Sequence, residues 1–226
     1  MKKIISVVVL GLVLFPFLKV GAVENQKPEL WLTWRASNYA PSSFEGKNIP
    51  TVGSPMNFLI SLINQGKIIN LANRNIYWYA DDEFIKGGVG LTHFTFQPFK
   101  TGNLAIRVKV FDVNGGGFIG KAALILVTSP QAIIEAPTPT GAFSALNFKI
   151  KAIPYFFNTS DEDNFLFSWK INNQPPTSFE NPKNLTIDLP DSTPNNYQIK
   201  INLSIKNSKN NQESAIKNLN LIFEKK

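Results

Sequence analysis

The chain of 226 residues contains no cysteine and a single histidine. Without cysteine there is no disulfide, no thiol nucleophile and no lipid-modified thiol. Zinc sites are built mainly from Cys and His, so this composition nearly excludes a structural or catalytic zinc site. The sequence also has no Gly-x-Ser-x-Gly nucleophile turn. These absences predict a protein that is not an enzyme and whose folded state depends on burial of its 18 Phe and 4 Trp.

The one histidine, His93, lies in the alternating segment LTHFTF. If Phe94 and Phe96 face a core, His93 points outward beside Thr95, because side chains alternate across a strand. We expect a surface histidine. Nothing in the sequence supports a catalytic triad around it.

Basic residues exceed acidic residues by 23 to 16, which gives a net charge of +7. Three of these lysines, Lys2, Lys3 and Lys19, lie in the first 22 residues, which hold no acid. Removal of that segment leaves 20 basic and 16 acidic residues, a net charge of +4. The remaining charges are spread evenly, without a Lys/Arg cluster. No nucleic-acid partner is expected.

The first 22 residues have the three parts of a secretory signal: two lysines, an apolar run over residues 4–18, and small residues before position 23. A transmembrane helix needs about 20 apolar residues, and this run is shorter. The sequence therefore predicts a signal peptide over residues 1–22, cleavage after Ala22, and export. The alternative is an uncleaved anchor over residues 4–20, which would be the chain's membrane contact.

Strict alternation of apolar and polar residues predicts strands along nearly the whole chain. In residues 197–206, Tyr197, Ile199, Ile201, Leu203 and Ile205 share one face, and polar residues share the other. A helix would scatter these residues around its axis. Comparable segments are residues 55–64, 75–80, 91–97, 103–113 and 121–128 in the first half, and 145–152, 165–171, 184–189, 196–206 and 215–223 in the second.

The order of these segments repeats, with Trp78 and Trp169 on matching third strands. Val108 follows the first tryptophan by 30 residues and Ile201 follows the second by 32, which indicates an internal repeat. We predict one domain over residues 23–129 and a second over residues 130–226, the first strand of which includes residues 133–134. Residues 39–50 are predicted to form a loop that crosses between the two sheets of the first domain.

With a tryptophan on the third of about seven short strands, each half resembles immunoglobulin-like folds, including the PKD-like domains of bacterial and archaeal surface proteins. The segment Tyr77-Trp78-Tyr79-Ala80-Asp81-Asp82 occupies the place of the aromatic-Asp-Gly turn of a PKD domain, although Glu83 stands where that pattern has Gly. The resemblance implies an all-β chain of two tandem immunoglobulin-like β-sandwich domains behind an N-terminal signal helix. Tandem modules of this kind are typically spacers, adhesive arms or appendages of exported assemblies.

Three acidic loops offer oxygen atoms of the kind that Ca²⁺ binds: residues 81–83, residues 161–164 and residues 112–116. Asp, Asn and Gly are also the usual residues of turns, and an acidic triplet supplies fewer than the 6–8 ligands that Ca²⁺ needs. No cofactor is expected. Ca²⁺ is the one metal that the sequence does not exclude.

Three aromatic residues are the candidate binding residues. If Trp34 is buried, Trp31 lies on the polar face of its strand; if Trp78 is buried, Tyr77 and Tyr79 point outward. Exposed Trp and Tyr often anchor protein or glycan partners. The alternative is that Trp31 packs under residues 39–41 or at the domain junction.

These observations predict a non-enzymatic exported module, at the cell surface or in the envelope, that acts as an interaction arm or spacer for a protein or glycan partner. The alternative is a carbohydrate-binding or carbohydrate-active secreted protein that uses Trp31, Tyr77 and Tyr79.

Overall fold

The structure is a computed structural model that describes residues 27–113, 116–138, 141–176 and 181–225. The predicted signal peptide lies outside these residues. Within them, no helix has the length and apolar character needed to cross a membrane. The described chain consists of β-strands, loops and one short 3-10 turn, Glu162–Asn164.

The first half of the described chain forms two antiparallel sheets. Its strands are β1 (Glu29–Ala36), β2 (Met56–Asn64), β3 (Lys67–Ile69), β4 (Asn75–Ala80), β5 (Glu83–Val89), β6 (His93–Phe96), β7 (Gly102–Val113) and β8 (Gly117–Val127). In one sheet, β2 pairs with β1, β3 and β6. The other sheet has the order β5-β4-β7-β8. The two sheets enclose one hydrophobic core.

The second half has a related arrangement of two sheets. Its strands are β9 (Gln131–Glu135), β10 (Ala142–Phe143), β11 (Asn147–Tyr155), β12 (Phe165–Ile171), β13 (Asn184–Asp188), β14 (Tyr197–Asn207) and β15 (Asn210–Phe223). The sheets have the orders β13-β11-β9 and β10-β15-β14-β12, and β10 pairs with β15 in parallel. They enclose a second core. The prediction of an all-β chain with two tandem immunoglobulin-like sandwiches is confirmed.

The two tryptophans occupy equivalent places in these cores. Trp78 and Trp169 are buried, on β4 and β12 respectively. The indole Nε1–H of Trp78 donates to the carbonyl of Leu91 at 3.0 Å, and that of Trp169 donates to the carbonyl of Pro182 at 2.8 Å; each acceptor follows its tryptophan by 13 residues. The internal repeat therefore includes a shared hydrogen bond.

The register refines the predicted equivalence between the halves. Trp78 pairs with Val108 across the β4–β7 ladder, whereas Trp169 pairs with Leu203 across the β12–β14 ladder. The residue equivalent to Val108 is therefore Leu203, two positions beyond the predicted Ile201. Both residues face the cores, since a shift of two positions keeps the same side of a strand.

The loop between β1 and β2 differs from its prediction. Because β1 and β2 pair in the same sheet, the loop does not connect two sheets, and the predicted crossing is wrong. It meets the opposite sheet at a bridge between Thr51 and Thr128. The rest of the loop is directed by contacts with the second domain.

This loop docks onto the end of β11 and the residues that follow it. The backbone N–H of Tyr39 donates to the carbonyl of Phe157 at 2.7 Å, and the N–H of Phe156 donates to the carbonyl of Tyr39 at 2.6 Å. The ring of Tyr39 lies in the core of the second domain, edge-on to Phe165 with 4.9 Å between ring centres. Thr51 Oγ1 also donates to the Phe156 carbonyl at 3.0 Å. The two sandwiches are thus joined by tertiary contacts as well as by the chain.

Candidate partner-binding surface

The outer face of the β5-β4-β7-β8 sheet carries the predicted residues Tyr77 and Tyr79. On β4 the side chains of Ile76, Trp78 and Ala80 are buried, so alternation turns both tyrosines outward. The same alternation brings further aromatic and basic side chains to this side. We call the set the aromatic face: Tyr77, Tyr79, Phe84, Arg107, Lys109, Phe111 and Phe118.

Five rings form a continuous path over all four strands. The distance between ring centres is 5.5 Å from Phe118 to Phe111 and 5.3 Å from Phe111 to Tyr77. It is 6.2 Å from Tyr77 to Phe84 and 5.9 Å from Phe84 to Tyr79. Aromatic pairs at such distances add to the stability of a sheet surface and hold one another in place. The face is therefore an ordered array of rings.

The glycine at position 87 lets the Tyr77 ring lie close to the sheet. Gly87 is opposite Tyr77 in the β4–β5 ladder. A Cβ atom at position 87 would lie 2.3 Å from Cδ1 of Tyr77. Any larger residue would therefore displace this ring and break the path at its middle.

Two cations lie among the rings. The Arg107 guanidinium is 5.6 Å from the centre of the Tyr79 ring and forms an ion pair with Asp82. The Lys109 ammonium is 5.5 Å from the Tyr79 ring centre and 4.8 Å from that of Phe118. Such cation–π contacts are attractive at these distances. In the described part of the chain, Lys109 forms no salt bridge, so its charge is available to a partner.

The face is open to solvent. Phe84 is 60% exposed and Phe118 is 54% exposed. Leu124 and Leu126 continue the exposed apolar surface along β8, and Val89 continues it along β5. Several large apolar side chains exposed on one side of a sheet are a common feature of binding surfaces.

The second sandwich provides an internal comparison. When the two ladders are aligned on Trp78 and Trp169, the positions of Tyr77 and Tyr79 correspond to Ser168 and Lys170. The remaining positions of the aromatic face on β7 and β8 correspond to polar residues on β14 and β15, namely Asn202, Ser204, Lys206 and Ser214. The equivalent strands thus fold with an outer face that carries no aromatic ring, although Leu166 and Ile216 are exposed on it, and the fold itself does not require the rings.

Trp31 is not part of this face. It lies on β1, in the other sheet of the first domain, opposite Ser61 on β2. Its side chain is 52% exposed, and the loop that was its predicted cover places Tyr39 in the core of the second domain. The structure therefore brings Tyr77 and Tyr79 together and separates Trp31 from them.

Sequence reasoning missed the other members of the face. On β7 the side chains of Ile106, Val108 and Val110 are buried. Alternation along the strand therefore predicts that Arg107, Lys109 and Phe111 point to the outer side. Phe84 had no such signal, because β5 is an exposed edge strand with two consecutive glycines and no regular alternation. Phe118 lies on a longer β8 than predicted.

The acidic loop after β4 is held by internal donors. Asp81 accepts a hydrogen bond from the backbone N–H of Ala105 at 3.0 Å and pairs with Lys100 at 3.0 Å. The Ala105 hydrogen bond and the one from Lys100 lower the pKa of the Asp81 carboxyl. Asp82 pairs with Arg107.

The acidic loop before β12 is also internally satisfied. Asp161 accepts from the backbone N–H of Asp163 at 3.0 Å, and Glu162 accepts from Tyr39 and Lys183. Among the described residues, no three His, Asp or Glu side chains converge as a metal site would require. The third acidic loop, residues 112–116, includes positions outside the described residues. His93 is exposed on β6, as predicted.

Comparisons with known proteins give low similarity. No protein-family model and no curated protein matches the sequence. One similar structure is of the fibronectin(III)-like modules of Clostridium thermocellum CbhA, with 13% identity and a TM-score of 0.30 over 86% of this chain and 95% of that chain.

A second similar structure is of the three N-terminal domains of the bacteriophage RB49 Highly Immunogenic Outer Capsid protein, with 12% identity and a TM-score of 0.42 over 84% of this chain and 59% of that one. A third is of Bacteroides ovatus SGBP-B in complex with a mixed-linkage heptasaccharide, with 11% identity and a TM-score of 0.28 over 88% of this chain and 48% of that one. For these two, the match spans about half of the other chain. The fold assignment here rests on strand order and register.

Proposed function

We propose that this chain is a non-catalytic interaction module and that the aromatic face is its binding surface. The observation that carries the proposal is the contrast between the two sandwiches. They share the order of three strands, β4-β7-β8 and β12-β14-β15, the tryptophan position and the ladder register around it, yet the outer face around Tyr77 carries rings on all three strands and the face around Ser168 carries none. Exposed rings that the fold does not need are best explained by a partner that covers them.

The chemistry of the face indicates a protein partner. Phe84 and Phe118 are apolar rings without hydroxyl groups, and the leucines beyond them extend the apolar area. Interfaces between proteins commonly have such an aromatic and aliphatic centre. Lys109, which has no ion pair in the described part of the chain, would be matched by a carboxylate of the partner.

The proposal is tested by crosslinking on intact cells, with recovery of the proteins joined to the chain. The test variant is Phe118→Ser combined with Phe84→Ser, which removes two exposed rings without touching the core. We expect the main crosslinked species to disappear. A matched control is Leu166→Ser, since Leu166 is 55% exposed on the corresponding sheet of the second domain.

The control should leave the crosslinked species unchanged. Equal loss in the control and the test variant would mean that exposed apolar side chains bind nonspecifically, and unchanged crosslinking in both would remove the aromatic face from the proposal. Thermal unfolding of both variants checks that the sandwiches still form.

We also propose that the protein is exported, on the basis of the charged, apolar and small-residue parts of residues 1–22. N-terminal sequencing of the protein from the culture medium or envelope fraction tests this. A mature chain that begins at Val23 is the expected result. A chain that begins at Met1 would support the alternative of an uncleaved anchor.

A glycan is the second candidate partner. The observation that favours it is the neighbouring pair Tyr77 and Tyr79, whose rings and hydroxyl groups could stack on and hydrogen-bond sugar rings, with Arg107 beside them. A glycan array on the purified protein separates the two candidates. Binding that is lost in Tyr79→Ser and kept in Trp31→Ser would favour the glycan, because Trp31 lies on the opposite sheet.

A further inference from the structure

A cleft of about 440 Å³ lies where the two domains meet. One wall is the end of β1 and the following loop, with Arg35, Asn38, Lys47 and Asn48; the other wall is Thr159–Ser160 of the second domain. Ligand sites are typically about 300–1,000 Å³ and occur preferentially at domain interfaces. The loop that carries Tyr39 docks onto the second domain and so holds the two walls of the cleft next to each other.

The charged side chains of this lining are both cations. Arg35 and Lys47 contribute positive charge, and none of the described residues that line the cleft is acidic. Within the described residues, neither of them forms a salt bridge. The Lys47 ammonium lies 3.4 Å from the centre of the Trp34 ring, which holds it in place.

Lys47 is an exposed residue whose ammonium group packs against the Trp34 ring. Burial lowers the pKa of its ammonium group. A cation that has lost part of its hydration and has a ring as its neighbour gains more from an anion than a fully hydrated surface lysine does. The positive charges of the cleft therefore favour binding of a negatively charged group.

The remaining lining residues are small, and five of these seven described residues have a polar side chain. Ser37 Oγ accepts from Asn57 Nδ2 at 3.2 Å and keeps its own hydroxyl proton for donation. The Asn48 amide nitrogen is used on the carbonyl of Asn38 at 2.6 Å, which fixes the position of this side chain. Neutral amide and hydroxyl groups of this kind match the hydroxyl groups of a ligand.

From this combination we propose that the cleft binds an acidic saccharide. Its carboxylate would contact Arg35 and Lys47, and its hydroxyl groups would contact Asn48 and the serines of both walls. The site requires both domains, because Ser160 belongs to the second. It is separate from the aromatic face, so either proposal can fail while the other stands.

Isothermal titration of the purified protein with a galacturonate trisaccharide tests the proposal, with a neutral glucose trisaccharide and inorganic phosphate as comparison ligands. We expect binding of the galacturonate. Arg35→Gln and Lys47→Gln should each weaken it about tenfold or more, because each removes a charge-assisted contact. Lys67→Gln is the matched control: it removes the same charge from an exposed position on β3, outside the cleft.

Ser160→Trp is the decisive variant, since it fills the cleft from the second domain without changing any charge. Loss of galacturonate binding in this variant supports the site. Unchanged binding in Ser160→Trp, or equal weakening by Lys67→Gln, would show that general electrostatics are responsible and overturn the proposal. Absence of binding to the wild-type protein, or equally tight binding of the neutral trisaccharide or of phosphate alone, would overturn it as well.

Discussion

The phenol hydroxyl of Tyr39, in the loop after β1, donates a hydrogen bond of 2.5 Å to Oε1 of Glu162 in the second domain. Lys183 Nζ lies 2.5 Å from Oε2 of the same carboxylate. A residue of the first domain thus reaches a charged pair of the second, and its ring is buried in the second core. The junction is therefore stabilised by both apolar burial and a hydrogen-bonded ion pair.

Tyr39→Ala should destabilise the second domain strongly. The variant removes a buried ring and leaves a cavity beside Phe165, for which a cost of about 3–5 kcal/mol is typical. Tyr39→Phe keeps the ring and loses the hydroxyl, with an expected cost of about 1 kcal/mol. Urea denaturation measures both. Tyr197→Phe, at an exposed tyrosine, is the control and should change the free energy of unfolding by less than about 0.5 kcal/mol.

The Glu162 carboxyl should make stability depend on acid pH. The hydrogen bond from Lys183, followed by that from Tyr39, lowers its pKa from the ordinary value of 4.5. Because the folded-state pKa is below the unfolded one, the stabilisation is complete above about pH 4.5 and is lost as the pH falls through the lowered value. Glu162→Gln should therefore be less stable than the wild type at pH 7, and the difference should narrow at pH 3.

Urea denaturation at both pH values gives this difference. Since the Glu162 side chain is 55% exposed, the effect should be small and should weaken in high salt. In a Lys183→Gln background, the stability difference caused by Glu162→Gln should change even less between pH 7 and pH 3. A difference that does not vary with pH in either background would contradict the assignment of this carboxyl to the junction.

The two buried tryptophans should be equally sensitive to substitution. Trp78→Phe and Trp169→Phe each remove the Nε1–H donor and leave a space in a core, with an expected cost of about 2–4 kcal/mol. Trp31→Phe, at a half-exposed position, should cost less than about 0.5 kcal/mol. The free energy of unfolding of the three variants tests the structural equivalence of the halves. A neutral effect at either buried position would contradict it.

Removal of divalent metal should leave stability unchanged. The carboxylates of Asp81 and Glu162, in two of the acidic loops, are already bonded to internal donors. We expect the same thermal midpoint with and without excess EDTA. A fall of more than about 4 °C would correspond to roughly 1 kcal/mol or more for a chain of this size and would restore Ca²⁺ as a bound ion.

Local periodicity accounts for much of what the sequence predicted. The predicted segments 75–80 and 165–171 coincide with β4 and β12, because both strands alternate between a buried and an open face. β5 was missed for the converse reason: an edge strand with Gly87 and Gly88 buries little and shows no period. Tyr77 and Tyr79 were placed outward by the burial of Trp78 alone.

The sequence by itself thus determined the strand faces, the tryptophan repeat and the exclusion of cysteine chemistry, since these depend on residue type and on neighbours one or two positions away. Tertiary structure decided which faces meet. The aromatic face joins Tyr77 to Phe111 and Phe118 through ladder register, and the loop from β1 reaches Phe156 and Glu162 more than a hundred residues later in the chain. Such contacts depend on how sheets and domains pack against each other, which no local period encodes.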